Sequence, residues 1–91
     1  MDIIQFSNLT DPENYTLLDV RTNEERINGY LLNSTHIDYY DKRFLEKIDL
    51  LDKNKPVYVY CKVGGRSLKA SNKLIQFGFK NVYNLEGGFL R

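Results

Sequence analysis

With a single cysteine, Cys61, the chain cannot close a disulfide on itself. A single histidine, His36, removes the common zinc spacings as well, so neither a metal nor a cofactor is expected. An excess of one charge is also missing: 13 basic against 12 acidic residues leave a formal charge of +1. The two signs are interspersed, as in Asp41-Lys42-Arg43 and Asp52-Lys53. Such a balance gives no footprint for nucleic acid and no polybasic patch for a membrane surface. No apolar run approaches the length of a bilayer-spanning helix. Met1-Asp2-Ile3-Ile4-Gln5 has neither the basic region nor the apolar stretch of a secretory signal, so none is expected. A thiol with no partner suits a reducing compartment, which makes cytoplasm the expectation.

What is present reads as one globular domain spanning residues 1–91. The composition is 42% hydrophobic and 27% charged, which is ordinary for such a domain. At this length only part of the unfolded surface can be buried, so the stability margin should be modest.

Along the chain, strand and helix signals alternate. A short strand is expected at Ile3 to Phe6 and a turn at Asp11-Pro12. A buried strand follows over Tyr15 to Val20. Thr22-Asn23-Glu24-Glu25 has the form of a capping box opening a helix, which Gly29 ends. A short strand should lie around Ser34 to Ile37. A helix over Lys42 to Leu51 should present Phe44, Leu45, Ile48 and Leu51 inward. After the break at Asn54-Lys55-Pro56, Val57-Tyr58-Val59-Tyr60 is a central-strand candidate. Ser67 is then expected to cap a helix with Leu68, Leu74, Ile75 and Phe77 on its apolar side, ended by Gly78. Asn81 to Leu85 makes a last strand. Alternation without hairpin signals implies an α/β fold, with a mainly parallel sheet of about five strands and helices on both faces. In such sheets, sites lie beyond the carboxyl ends of the strands.

Cys61 follows one such strand end and Arg21 another. A lone cysteine continuing a core strand is as a rule a small buried hydrophobe. Its sequel argues otherwise. In Cys61-Lys62-Val63-Gly64-Gly65-Arg66-Ser67 the two glycines can take positive φ and keep a concave face clear. Converging backbone N–H groups, the mouth of the following helix and the cations Lys62 and Arg66 would then favour an anion. They would also lower a thiol's pKa, so Cys61 should be largely thiolate at neutral pH. The reading requires that the thiol be reachable from solvent.

At this point the sequence resembles the rhodanese-like sulfurtransferases. The cysteine loop is similar to their active-site signature. Leu17-Leu18-Asp19-Val20-Arg21-Thr22-Asn23-Glu24-Glu25 is similar to their Asp-Val-Arg strand end and acidic helix start. Gly78-Phe79-Lys80-Asn81-Val82-Tyr83-Asn84-Leu85-Glu86-Gly87-Gly88 is similar to their closing strand and double glycine. Tyr30 stands where the family commonly has His, and Leu32 where Pro is usual.

The resemblance implies a three-layer sandwich with Cys61 as sulfur acceptor and the backbone from Lys62 through Val63, Gly64 and Gly65 to Arg66 cradling the sulfur. Arg66 would orient the loop or an anionic donor, and Ser67 would cap the helix beneath. Asp19 and Arg21 would support the strand end. Arg21 is expected to pair with Glu25, the alternative being that it faces the pocket.

The implied reaction is a double displacement through a Cys61 persulfide. The donor is a small sulfur anion such as thiosulfate, and the acceptor is cyanide, a thiol or a protein thiol. No histidine base is needed, and His36 is given no role. A cysteine phosphatase or arsenate reductase on the same fold would use Cys-x5-Arg, whereas Cys61 and Arg66 are spaced as Cys-x4-Arg. The remaining alternative is a sulfur carrier or binding module with little turnover.

Overall fold

The computed structural model of the chain describes residues 11–62 and 65–85. The strand expected at Ile3 to Phe6, the Glu86-Gly87-Gly88 close, and Val63 and Gly64 of the cysteine loop lie outside these residues.

Four short runs of β-branched and apolar residues form parallel strands: β1 (Thr16–Asp19), β2 (Thr35–His36), β3 (Val57–Tyr60) and β4 (Val82–Asn84). They lie in the order β2-β1-β3-β4. The α/β class and parallel sheet are as the sequence implies, with four strands among the described residues where about five were expected. The register pairs Asp19 with both His36 and Tyr60, and Val59 with Asn84. All four strands therefore end at the same edge of the sheet, which is where Arg21 and Cys61 emerge.

Alternation along the strands separates two clusters. Leu18, Val20, Val57, Val59 and Cys61 join Phe44, Ile48, Ala70 and Leu74 in one. Leu17, Tyr58, Tyr60 and Leu85 make the other, with Tyr15 and Leu31 against it. Tyr58 stacks on Tyr83 at a centroid distance of 5.0 Å.

Three helices connect the strands: α1 (Asn23–Ile27), α2 (Phe44–Asp49) and α3 (Gly65–Gln76). The capping box of α1 forms as expected. Glu25 N–H donates to Thr22 Oγ1, and the Glu25 carboxylate accepts from Thr22 N–H. Two inward faces differ from the reading above. On α2, Phe44 and Ile48 are buried while Leu45 is exposed. On α3 the buried face is Ser67, Ala70, Ser71 and Leu74, and the expected contacts Leu68 and Ile75 are exposed. Small residues at i, i+3 and i+4 let α3 approach the sheet closely, and that closeness outweighs the larger apolar side chains.

α3 ends in a Schellman motif. Gly78 N–H donates to the Ile75 carbonyl and Phe79 N–H to the Leu74 carbonyl, both at 3.1 Å. Phe79 and Leu74 belong to the same core cluster. Gly78 has φ of 94°, which a residue with Cβ adopts only with strain. Gly78→Ala should therefore cost about 1 kcal/mol, read as a lowered urea midpoint at unchanged slope.

Candidate active site

Strand alternation from Val57 and Val59 turns Cys61 toward α3. Two groups of Ser67 meet its sulfur. The Ser67 N–H donates to Cys61 Sγ at 3.4 Å, and the thiol donates to Ser67 Oγ, also at 3.4 Å. Ser67 is the third residue of α3, so its N–H is one of the first-turn amides that have no partner within a helix. An N–H at this position carries the positive end of the helix dipole to the sulfur.

The expectation that Ser67 caps this helix is thereby corrected. α3 begins at Gly65, and Ser67 lies within its first turn, fully buried between strand and helix. Gly65 is likewise helical, and a Cβ there would meet nothing within 4 Å. The helix starts three residues earlier than a cap at Ser67 would place it. Lys62 is exposed.

Arg66 extends from α3 to α1, where its Nη1 and Nη2 donate to Glu25 Oε1 and Oε2 at 2.6 and 2.8 Å. The Arg66 guanidinium, aided by the Thr22 hydrogen bonds, holds the Glu25 carboxyl down to about 2. Glu25 in turn raises Arg66, to which the charge of Cys61 also contributes. Arg66 is thus within electrostatic reach of the sulfur, although Glu25 offsets part of its charge.

The expected Arg21–Glu25 pair does not form. Arg21 instead serves Asp19, its backbone N–H and Nε donating to Oδ1 and its Nη2 to Oδ2 at 2.9–3.0 Å. Arg21 Nη2 also donates to the Gly29 carbonyl at 2.7 Å. A fork two residues along the chain closes a short ring with Asp19, and Arg66 then takes Glu25. Arg26 Nη1 and the Tyr60 hydroxyl complete the shell of Asp19 Oδ2, each at 2.9 Å. Burial pushes the Asp19 carboxyl up, but the Arg21 and Tyr60 hydrogen bonds outweigh it and leave it below its ordinary value. This cluster braces the strand ends beside the site.

Cys61 itself is 0% exposed. The expectation of a thiol reachable from solvent is not met, because β3 carries the residue into the core before the chain turns. Burial opposes ionisation, whereas the helix amide and Arg66 favour it.

Sequence reasoning missed three residues. Arg26 and Tyr60 complete the Asp19 shell, and Arg26 also donates to Ser34 Oγ at 2.9 Å and lies over the ring of Tyr30. Asn84 accepts from the Ser67 hydroxyl. An asparagine within a strand run is the one signal that could have marked the last. His36 is half-buried, its Nε2 2.7 Å from the Arg21 carbonyl oxygen. With Asn23, Asp38, Tyr40, Asp41 and Lys47 it lines a polar cleft of about 230 Å³ that no expected site residue borders. Among the described residues no cluster could hold a metal, and no helix is long and apolar enough to cross a membrane.

A parallel α/β sheet delivering a cysteine to a helix mouth, with an arginine one residue before the serine that meets its sulfur, defines a class of cysteine-centred anion sites. The model of the rhodanese-like domain matches residues 3–91, and the chain belongs to that family. It is 40% identical over 90 residues to a tRNA uridine(34) hydroxylase of Cytophaga hutchinsonii, a match covering 96% of this chain and 29% of that protein. It is 36% identical to thiosulfate sulfurtransferase 18 of Arabidopsis thaliana, covering 80% of this chain and 62% of that one. The chain thus spans less than two thirds of either relative. A crystal structure of a rhodanese-related protein from Thermoplasma volcanium superposes with a TM-score of 0.73 at 38% identity, covering 84% of this chain and 73% of that one.

Proposed function

We propose that these 91 residues act as one sulfurtransferase domain of a reducing compartment, carrying sulfane sulfur on Cys61. The observation behind this reading is the meeting of a first-turn helix N–H with Cys61 Sγ, with Arg66 within electrostatic reach. The Cys61 thiolate attacks the outer sulfur of a donor such as thiosulfate. A sulfur–sulfur bond forms to Cys61, the bond to the sulfonate sulfur breaks, and sulfite leaves with the electron pair. The persulfide keeps one negative charge, which amide donors stabilise. Cyanide, a small thiol or a protein thiol then removes the terminal sulfur and restores the thiolate. Lys62, Val63, Gly64, Gly65 and Arg66 are the proposed sulfur-binding stretch. Because Cys61 is buried, an opening step precedes attack.

Intact-mass measurement after incubation with thiosulfate tests this. Wild type should gain one sulfur atom that cyanide removes, and Cys61→Ser should gain none. A wild type left unmodified by thiosulfate, mercaptopyruvate and polysulfide would support a binding module instead.

The 40% identity to a tRNA uridine(34) hydroxylase favours a second reading, in which the domain works as part of a tRNA-modifying system. Retention of tRNA on a filter by the protein at physiological salt, in the absence of any sulfur uptake, would favour that reading.

A further inference from the structure

The polar cleft of about 230 Å³ beyond the end of β2 is rich in hydrogen-bond acceptors. His36 Nε2 lies 2.7 Å from the Arg21 carbonyl oxygen. A carbonyl only accepts, so in the neutral ring Nε2 carries the proton and Nδ1 is left as an acceptor. Nδ1 has no partner among the described residues, and no buried side-chain nitrogen of theirs lacks one, so Nδ1 is open to solvent. Asp38 is half-buried and accepts from the Tyr40 N–H at 2.9 Å. Among the described residues no cation pairs with it. Asp41 is paired with Lys47. Two carboxylates against one ammonium leave the cleft with an excess of negative charge.

The cleft opens beside the nucleophile, on the side of the sheet toward which the thiol points. Asp19 is in register with both His36 and Tyr60, and Cys61 follows Tyr60. Two interstrand spacings, about 10 Å, therefore separate His36 from the strand that delivers the sulfur. Ile37 lines the cleft and belongs to the core cluster that contains Cys61. Asn23, also on its wall, opens the helix whose Glu25 holds Arg66. Tyr40, at the exposed rim, is within electrostatic reach of Arg66.

We propose that this cleft is the docking subsite for a protein sulfur acceptor, taking a lysine or arginine side chain that lies about three residues from the acceptor's thiol. The proposal deepens the sulfur-transfer reading and rests on it. Three residues of extended chain cover about 10 Å, so the thiol can meet the persulfide while the cation sits between Asp38 and His36 Nδ1. Cyanide is too small to span the two places, and a phosphate backbone would meet charge of its own sign. In the transfer the acceptor thiolate attacks the terminal sulfur of the Cys61 persulfide. A sulfur–sulfur bond forms to the acceptor, the bond to Cys61 breaks, and Cys61 leaves as thiolate with the electron pair. Docking the cation raises the effective concentration of the thiol at that sulfur.

Two acceptor peptides, acetylated and amidated at their ends, test this: Cys-Gly-Gly-Lys and Cys-Gly-Gly-Glu. With persulfide-loaded protein, kcat/KM for the lysine peptide should exceed that for the glutamate peptide by about fivefold, the scale of a half-exposed ion pair. In Asp38→Asn, which keeps an oxygen for the Tyr40 N–H, the ratio should fall to near one. A second measurement needs neither a variant nor sulfur. His36 is the single histidine, so its imidazole nitrogen resonances are read without overlap. The unreactive peptide Ser-Gly-Gly-Lys should displace them saturably, and Ser-Gly-Gly-Glu should not. Equal kcat/KM for the two thiols in wild type, a ratio unchanged in Asp38→Asn, or His36 resonances that stay in place would overturn the assignment. Sulfur transfer with unmoved His36 resonances would remove the cleft and leave the transfer reading. Displaced resonances in a protein that passes no sulfur would keep the cleft as a cation site and remove the transfer reading alone.

Discussion

Asp19→Ala should cost the fold about 3–5 kcal/mol, the largest loss expected from any single substitution at this edge of the sheet. The carboxylate is fully buried and accepts from Arg21 N–H, Arg21 Nε and Nη2, Arg26 Nη1 and the Tyr60 hydroxyl. Without it, the Arg21 guanidinium, whose side chain is 4% exposed, loses the carboxylate that accepts from its Nε and Nη2. The Tyr60 hydroxyl, which also accepts from Leu31 N–H, loses the acceptor that orients it. Asp19→Asn should recover little, since its amide would turn a donor toward the guanidinium. Urea unfolding reads the loss, and sulfur uptake per folded molecule should stay near that of wild type. Unchanged stability with uptake abolished would place Asp19 in the chemistry instead of the scaffold.

Glu25→Gln should remove about 2–3 kcal/mol at neutral pH and flatten the acid side of the stability profile. The folded-state pKa of Glu25 lies at about 2, below its ordinary 4.5. A depressed carboxylate contributes stability that is complete above its unfolded pKa and is lost as pH falls toward the folded one. Wild type should therefore weaken progressively from about pH 4.5 downward, with Asp19 acting in the same sense at the low end. The Glu25–Arg66 pair is partly exposed, which places the loss toward the lower figure. Arg66→Ala breaks the same pair and also withdraws a positive charge from the reach of the sulfur. It should match Glu25→Gln in stability and exceed it in lost sulfur uptake. Melting curves between pH 2 and 7 on the three proteins check both points, and parallel acid limbs in wild type and Glu25→Gln would contradict the assignment.

The α/β class and the strand runs were legible because their signals are local. Val57 to Tyr60 is β-branched and aromatic, and the Thr22–Glu25 capping box lies within four residues. The period of two from Val57 through Val59 to Cys61 even settles the direction in which the thiol points. The partners of the charged groups were not legible. Glu25 has Arg21 four residues before it and Arg66 forty-one after it, and spacing alone favours the nearer. Arg21 lay nearer still to Asp19, so the long-range pair prevailed. The packing face of α3 was misread for a related reason: hydrophobicity marks Leu68 and Ile75, but the sheet accepts the face that lets backbone come closest.

By itself the sequence determined that strands and helices alternate, that Cys61 leaves a central strand toward the next helix, and that no second cysteine competes with it. Each of these follows from side-chain type and from periodicities confined to a few residues. Tertiary structure alone decided that Ser67 lies within a helix turn with its N–H on the sulfur, that Asn84 shares its hydroxyl, and that Arg66 answers to Glu25. Those arrangements depend on how closely α3 settles on the sheet and on which strand ends share an edge, and such distances are set by packing among segments far apart in the chain.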